Sequence, residues 1–303
     1  MARAAAMAQP QTARRELTVL DTAGSPEGAE RAVADAIRSG ARLILGPVFS
    51  YEVEAVADAL PEDAALVTFA NDPAVARYGA FRLGVTPAHS VPPILRYARG
   101  QGVRRVAVIA EEGPWGAQSI EAARAAAPAL GFEVTGAIVV DGPVERADLA
   151  AELTAGDAQP DAVLITDGGP ALISVAETAD ALGLQILGTI QWAARDFSGV
   201  EALHDAWFTA PDPTRWTAFA TAYQNLHGAP PGVLTGLAYD AAAMARTLST
   251  TGSADREGVM AQSRFSGVVG DFGFRADGSS VRDLVVLAIG PGGVRVIAQA
   301  RAA

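Results

Sequence analysis

At 303 residues the chain exceeds the usual size of one domain, so two lobes are expected. Half of it is hydrophobic and 19% is charged, which excludes a disordered polymer, and a net charge of -11 excludes the basic surface that nucleic acid demands. All 23 basic residues are Arg and no Cys is present, so P-loop lysines, Schiff bases, thiol nucleophiles, thiolate metal sites and disulfides are excluded as well.

In chain order, residues 1–12 read as part of an Ala-rich helix with no strand before it. They lack the long apolar core and small-residue cleavage site of a secretory signal. Short runs rich in Val, Ile and Leu then predict strands over 17–22, 42–47, 65–70, 105–111, 133–141, 161–167 and 184–191. Segments of helical period lie between them, over 25–39, 50–60, 115–130, 145–155 and 170–182. The apolar runs are continuous rather than alternating, as expected of strands covered by helices on both faces. Strand–helix alternation of this kind predicts right-handed crossovers and parallel sheets. Ser25-Pro26-Glu27 supplies a cap, a first-turn proline and an acid, while Gly40, Gly131 and Gly183 fall just past helix ends. After Trp207 the rhythm changes: 214–226 and 233–248 read as consecutive helices, and 283–298 as a hairpin turning at Pro291-Gly292-Gly293. No apolar run approaches the ~18–20 residues needed to span a bilayer.

In open parallel sheets ligands bind beyond the carboxyl ends of the strands, which points to 21–24, 46–50, 69–72, 111–116, 166–169 and 191–192. Ser50 stands at a helix start, able either to cap that helix or to hydrogen-bond a carboxylate. Phe49, Trp115 and Trp192 are candidate apolar walls, or else core. Asp72, Glu111, Asp167 and Asp240 are candidate partners for an ammonium group, or else solvated carboxylates. His89, His204 and His227 have no metal-pair spacing on one helix and read as surface or satisfied core residues. No G-x-G-x-x-G follows a strand, and no G-x-S-x-G or H-E-x-x-H occurs. Adjacent Glu111 and Glu112 need not face each other, so no glycosidase pair is implied. No catalytic residue, metal or cofactor is expected.

Several phrases recur in a specific order: Leu43-Ile44-Leu45-Gly46-Pro47 followed by Ser50, Val67-Thr68-Phe69-Ala70-Asn71-Asp72, and Pro114-Trp115-Gly116. Then come Leu187-Gly188-Thr189 to Trp192, Trp207-Phe208-Thr209-Ala210-Pro211, Leu237-Ala238-Tyr239-Asp240-Ala241, and Gly270-Asp271-Phe272-Gly273-Phe274 before Asp277-Gly278. On these residues the sequence resembles the type I periplasmic binding proteins, in particular the branched-chain amino-acid binders of ABC transporters and the related penicillin-binding-protein activators. The resemblance implies two doubly wound α/β lobes with parallel sheets, 1–85 with 210–271 and 86–209 with 272–303. Three crossover strands near 84–87, 208–213 and 271–274 would join them and let them close on a ligand. It further implies that Ser50 and Ala70-Asn71 hold the ligand's carboxylate and ammonium, with Trp115, Gly169 and Trp192 as contacts from the second lobe. Phe49, as an apolar wall, and Tyr239, within its phrase, complete the expected ligand-binding residues. Trp115 stands where a tyrosine is frequent in the family.

The family opens with a strand and a Gly-rich turn before its first helix, whereas this chain starts inside that helix. The first strand of lobe 1 is therefore expected to be missing from the sheet, and the natural product to extend upstream with a signal peptide or lipoprotein leader. The implied function is a periplasmic, non-enzymatic solute-binding protein that captures a small polar, amino-acid-like ligand for the membrane permease of an ABC importer. The alternative is a lipid-anchored activator of a penicillin-binding protein, and a third reading is an α/β enzyme.

Overall fold

The computed structural model describes residues 1–9, 17–155 and 158–300. Its strands are β1 (Leu43–Leu45), β2 (Ala65–Thr68), β3 (Phe81–Arg82), β4 (Arg105–Glu111), β5 (Glu133–Val140) and β6 (Ala162–Ile165). They continue with β7 (Gln185–Gly188), β8 (Trp207–Ala210), β9 (Phe272–Phe274), β10 (Ser280–Arg282), β11 (Leu284–Gly290) and β12 (Gly293–Ala300). The chain divides into two compact units, the first made of Met1–Val85 and Thr214–Arg282, the second of Thr86–Pro213 and Asp283–Ala303.

In the first unit β1, β2 and β3 form a parallel sheet in that order, and β9 and β10 an antiparallel hairpin. β2 is buried along its whole length because alternate residues face opposite helical layers. Ala65 and Val67 pack with Leu237, Ala241 and Met244 of the helix Val233–Thr251, whereas Leu66 packs with Val33, Val53 and Val56. The helix Pro26–Arg38 starts where the Ser25 side chain accepts the Gly28 N–H.

The expected strand over 17–22 does not form. An extended segment becomes a strand only with a ladder partner, and the sheet of the first unit ends at β1 among the described residues. Val19 is instead 64% exposed, and Thr22 donates its hydroxyl to Glu52 at 2.8 Å. The expected N-terminal helix is observed as Ala2–Met7, packed on Val233–Thr251; positions 10–12 lie outside the described residues. The third chain crossing also differs: it falls at Arg282–Asp283 rather than at 271–274. The β9–β10 hairpin stays with the first unit because Phe272 is buried in its core and the Gly278 carbonyl accepts the Arg82 N–H at 2.8 Å.

In the second unit seven strands run in the order β12-β11-β8-β7-β6-β4-β5, with β8 to β5 parallel and β11 antiparallel to both its neighbours. Ile109, Val163 and Ile165 pack on Leu172, Val175 and Ala176 of the helix Leu172–Ala181, while Val108 and Leu164, on the other face, are equally buried. From β4 the chain moves outward to β5 and then returns past β4 to β6. The order therefore reverses between β4 and β6, which makes the crevice at their carboxyl ends the switch point of this sheet.

Candidate functional site

In the first unit the expected residues sit on two loops stitched to each other by a strand-end threonine. Thr68, fully buried, donates its hydroxyl to the Pro47 carbonyl at 2.8 Å and accepts the Ala70 N–H at 3.1 Å. The Phe69 N–H donates to the same Pro47 carbonyl at 3.0 Å. These bonds hold the turn carrying Phe49 and Ser50 beside Ala70 and Asn71. Ser50 begins a three-residue turn, Ser50–Glu52, whose N-terminus carries no side-chain cap. Phe49 holds the cap position of that turn, so Ser50, a half-exposed residue, stands inside it rather than at its cap. Ala70 is buried and presents backbone only, while Asn71 is exposed.

Phe49 and Tyr51 flank Ser50, 50% and 57% exposed, with their rings stacked at 5.3 Å and 9°. Tyr51 donates to the Gly24 carbonyl at 3.3 Å. Gly84, where the chain leaves β3, is required here: a Cβ would lie 2.5 Å from the carbonyl oxygens of both Phe69 and Ala70. Tyr239, by contrast, packs its ring on Phe219 at 5.1 Å in the helical layer of the first unit.

In the second unit the switch-point crevice holds Glu111, Trp115, Asp167 and Gly169. Asp167 accepts the Glu111 N–H at 3.0 Å and the Thr166 hydroxyl at 2.5 Å, and Glu111 accepts the Ala171 N–H at 3.2 Å. Gly169 makes room for this arrangement, since a Cβ there would fall 2.2 Å from both carboxylate oxygens of Glu111. Trp115 is half-buried and anchored by its indole N–H to the Thr166 carbonyl at 3.0 Å. The crevice thus presents two carboxylates fixed by hydrogen bonds and one aromatic face, a set suited to a cationic group.

Other expectations are corrected by the packing. Trp192 is completely buried, with its ring against Gly188 and Phe208 and its indole N–H on the Asp167 carbonyl at 3.1 Å. It is a core residue beneath the crevice rather than a wall of it. Asp72 accepts the Ala74 N–H at 2.8 Å and caps the turn Pro73–Tyr78. Asp240 is fully buried, accepts the N–H groups of Val268 and Val269 at 2.7 and 3.1 Å, and lies 3.8 Å from Arg282. Burial pushes its carboxyl up to about 7, against the opposing pull of Arg282 and those two N–H groups. It cannot meet an ammonium group from solution.

The histidines serve the fold. His89 Nδ1 accepts the Thr86 N–H at 3.1 Å, His204 Nε2 lies 3.0 Å from the Ser198 carbonyl, and His227 packs edge-on to Tyr223. Thr68 and Tyr51 were missed from sequence. A threonine interrupting the apolar run 65–70, and aromatics on both sides of Ser50, were the available signals.

In both units the site residues gather at the carboxyl ends of parallel strands, the arrangement of an open-sheet α/β binding protein. Residues 13–294 match the sequence family described as periplasmic binding protein, and the chain belongs to that family. No curated protein matches it significantly. Among solved structures it is similar to a Rhodospirillum rubrum protein assigned to branched-chain amino acid ABC transport. The TM-score is 0.84 at 21% identity, over 98% of this chain and 94% of that one. It is also similar to an ABC transporter substrate-binding protein from Desulfitobacterium hafniense in complex with Leu (TM-score 0.66, 17% identity, 98% and 95% covered). A third is a solute-binding protein of an R. palustris ABC transporter in complex with benzoate (TM-score 0.65, 16% identity, 99% and 91% covered).

Proposed function

We propose that this protein is an extracytoplasmic solute-binding protein of an ABC importer, and that it captures a small carboxylate, amino-acid-like, with an apolar body. It binds and releases its ligand unchanged. The observation that carries this reading is the stitched loop pair of the first unit. There a half-exposed Ser50, in the first position of its turn, and the Ala70-Asn71 backbone stand beside two exposed aromatic rings.

On this reading Ser50 and the Ala70-Asn71 segment hold the ligand's carboxylate, and Phe49 with Tyr51 covers its apolar body. Glu111 and Asp167 of the second unit are the partners of an ammonium group, with Trp115 and the Gly169 backbone as further contacts. Family membership and the transporter proteins among its structural relatives support the importer role. A penicillin-binding protein as partner is the outcome to be excluded.

Calorimetric titration of the whole protein with L-leucine, L-phenylalanine and benzoate tests the reading. Binding of at least one of them is expected, and loss of the Ser50 hydroxyl in Ser50→Ala should weaken it about tenfold, as for a hydrogen bond to a charged group. Benzoate alone would remove the ammonium from the ligand and the acids from the site. Binding of none of the three, with retention on a penicillin-binding protein instead, would sink the importer role.

A further inference from the structure

The chain passes between the two units three times, at Val85–Thr86, Pro213–Thr214 and Arg282–Asp283. In the first unit a fully buried Arg–Asp pair and a half-exposed one stand beside them.

Arg282, the last residue of the first unit, is completely buried. Its Nη2 donates to the Leu83 carbonyl at 3.1 Å, two residues before the first crossing, and its Nη1 donates to the Gly270 carbonyl at 3.3 Å. The guanidinium lies 5.3 Å from the centre of the Phe272 ring and 3.8 Å from Asp240. Asp240 in turn holds the loop before β9 by its bonds to the Val268 and Val269 N–H groups. The same loop carries Asp271, which accepts the Ser266 hydroxyl at 3.2 Å and the Gly267 N–H at 3.3 Å and pairs with Arg215, two residues past the second crossing. Gly267 permits the closeness: a Cβ there would meet Asp240 Oδ2 at 2.6 Å.

One loop, 266–271, thus anchors the first-unit end of all three crossings. A buried ion pair of this kind is a weak source of stability, since apolar residues of the same volume do as well or better. What an apolar set lacks is direction, and a guanidinium fork aimed at one carbonyl beside the first crossing and one in the loop 266–271 supplies it. We propose that Asp240, Arg282, Arg215 and the loop 266–271 form a positioning hub for ligand capture, confining chain bending to residues 84–86, 211–214 and 282–283. On the second-unit side the limits are His89, which accepts the Thr86 N–H, and the pairing of Ala210 with Val285. Burial also raises the Asp240 carboxyl and lowers Arg282 to about 10, as expected where two charges are held for their geometry.

The role in capture rests on the function proposed above; the hub itself does not. Amide hydrogen exchange on the whole protein tests it, comparing wild type with Arg282→Lys and with the apolar double variant Asp240→Leu/Arg282→Met. In both variants residues 83–85 and 266–271 should exchange about tenfold faster while β2 and the helix Pro26–Arg38 keep their protection. The double variant should keep its melting temperature yet bind L-leucine, L-phenylalanine or benzoate, whichever the wild type takes, about tenfold more weakly. Unchanged exchange at 83–85 and 266–271, or faster exchange spread evenly over the first unit, overturns the hub. Unchanged affinity beside altered exchange overturns its part in capture. Should the wild type bind none of the three probes, the proposed function fails while the exchange result still decides the hub.

Discussion

Two Arg–Asp pairs, one from each unit, behave in opposite ways. Arg105 and Asp161 in the second unit meet at 2.8 Å with side chains 39% and 32% exposed, whereas Arg282 and Asp240 in the first unit are 3.8 Å apart and fully buried. Partial burial raises the Asp161 carboxyl, but the Arg105 side chain and the N–H groups of Arg104 and Arg105 more than offset that and leave it below its ordinary value. At Asp240 burial wins over its partners. The shorter pair is the less consequential one, because solvent can replace either of its members. Access to water, more than contact distance, sets what each pair means for the fold.

The largest expected effect follows directly. Arg282→Ala strips the partner from a buried carboxylate and should cost about 3–5 kcal/mol in urea unfolding, while Arg105→Ala should cost about 1 kcal/mol or less. Equal losses would break the comparison. The pH dependence sharpens it. Asp240 titrates near 7 in the folded protein against an ordinary 3.8, so the folded state keeps a proton that the unfolded chain has already released. The stability this group contributes is full below about pH 4 and is lost as pH rises through about 7. Urea midpoints of Asp240→Asn should therefore fall less steeply than wild type across that interval, and a parallel course would refute the assignment.

A smaller contrast lies in the glycines. Gly84→Ala drives a Cβ into two backbone carbonyls of the loop beside Ser50 and should cost about 1–3 kcal/mol, with weaker ligand binding. Gly136→Ala in β5 meets nothing within 4 Å and should be neutral or stabilising by less than about 1 kcal/mol. Comparable thermal shifts for the two variants would show that the close approach at Gly84 is unimportant.

Much of this was legible in the sequence because parallel strands buried on both faces write themselves as apolar runs, as 105–111 and 161–167 do. Elements that do not write themselves were missed. The two-residue strand β3 is too short for any period, and the helix Val91–Gly100 opens on Pro92-Pro93, which reads as a break yet suits a first turn. Residues 17–22 had the composition of a strand, but composition cannot reveal whether a ladder partner is present. At the site, chain order placed Ser50, Ala70 and Asn71 on neighbouring strand ends. It could not tell that Trp192 turns inward under Gly188, or that Asp240 faces Arg282, forty-two positions later. Burial is a property of the assembled layers, and only the assembled layers sort an acid that greets solvent from one that never meets it.

The smallest effect completes the contrast, and it has the opposite sign. Asp161 sits below its ordinary value in the folded protein, so its contribution is present above about pH 4 and is lost as pH falls through its folded value. Both partners are about a third exposed, and solvent screening limits that contribution to about 1 kcal/mol or less. Asp161→Asn should therefore lower the urea midpoint slightly at neutral pH, less so in high salt, and progressively less as pH falls below about 4. Asp240→Asn responds over a different window, since its carboxylate is costly where that of Asp161 is helpful. Measured side by side in one buffer series, the two variants should depart from wild type in opposite directions as pH rises toward 8, Asp161→Asn falling below it and Asp240→Asn gaining on it. Departure in the same direction would mean that the two carboxylates share an environment, and that burial does not distinguish the two units after all.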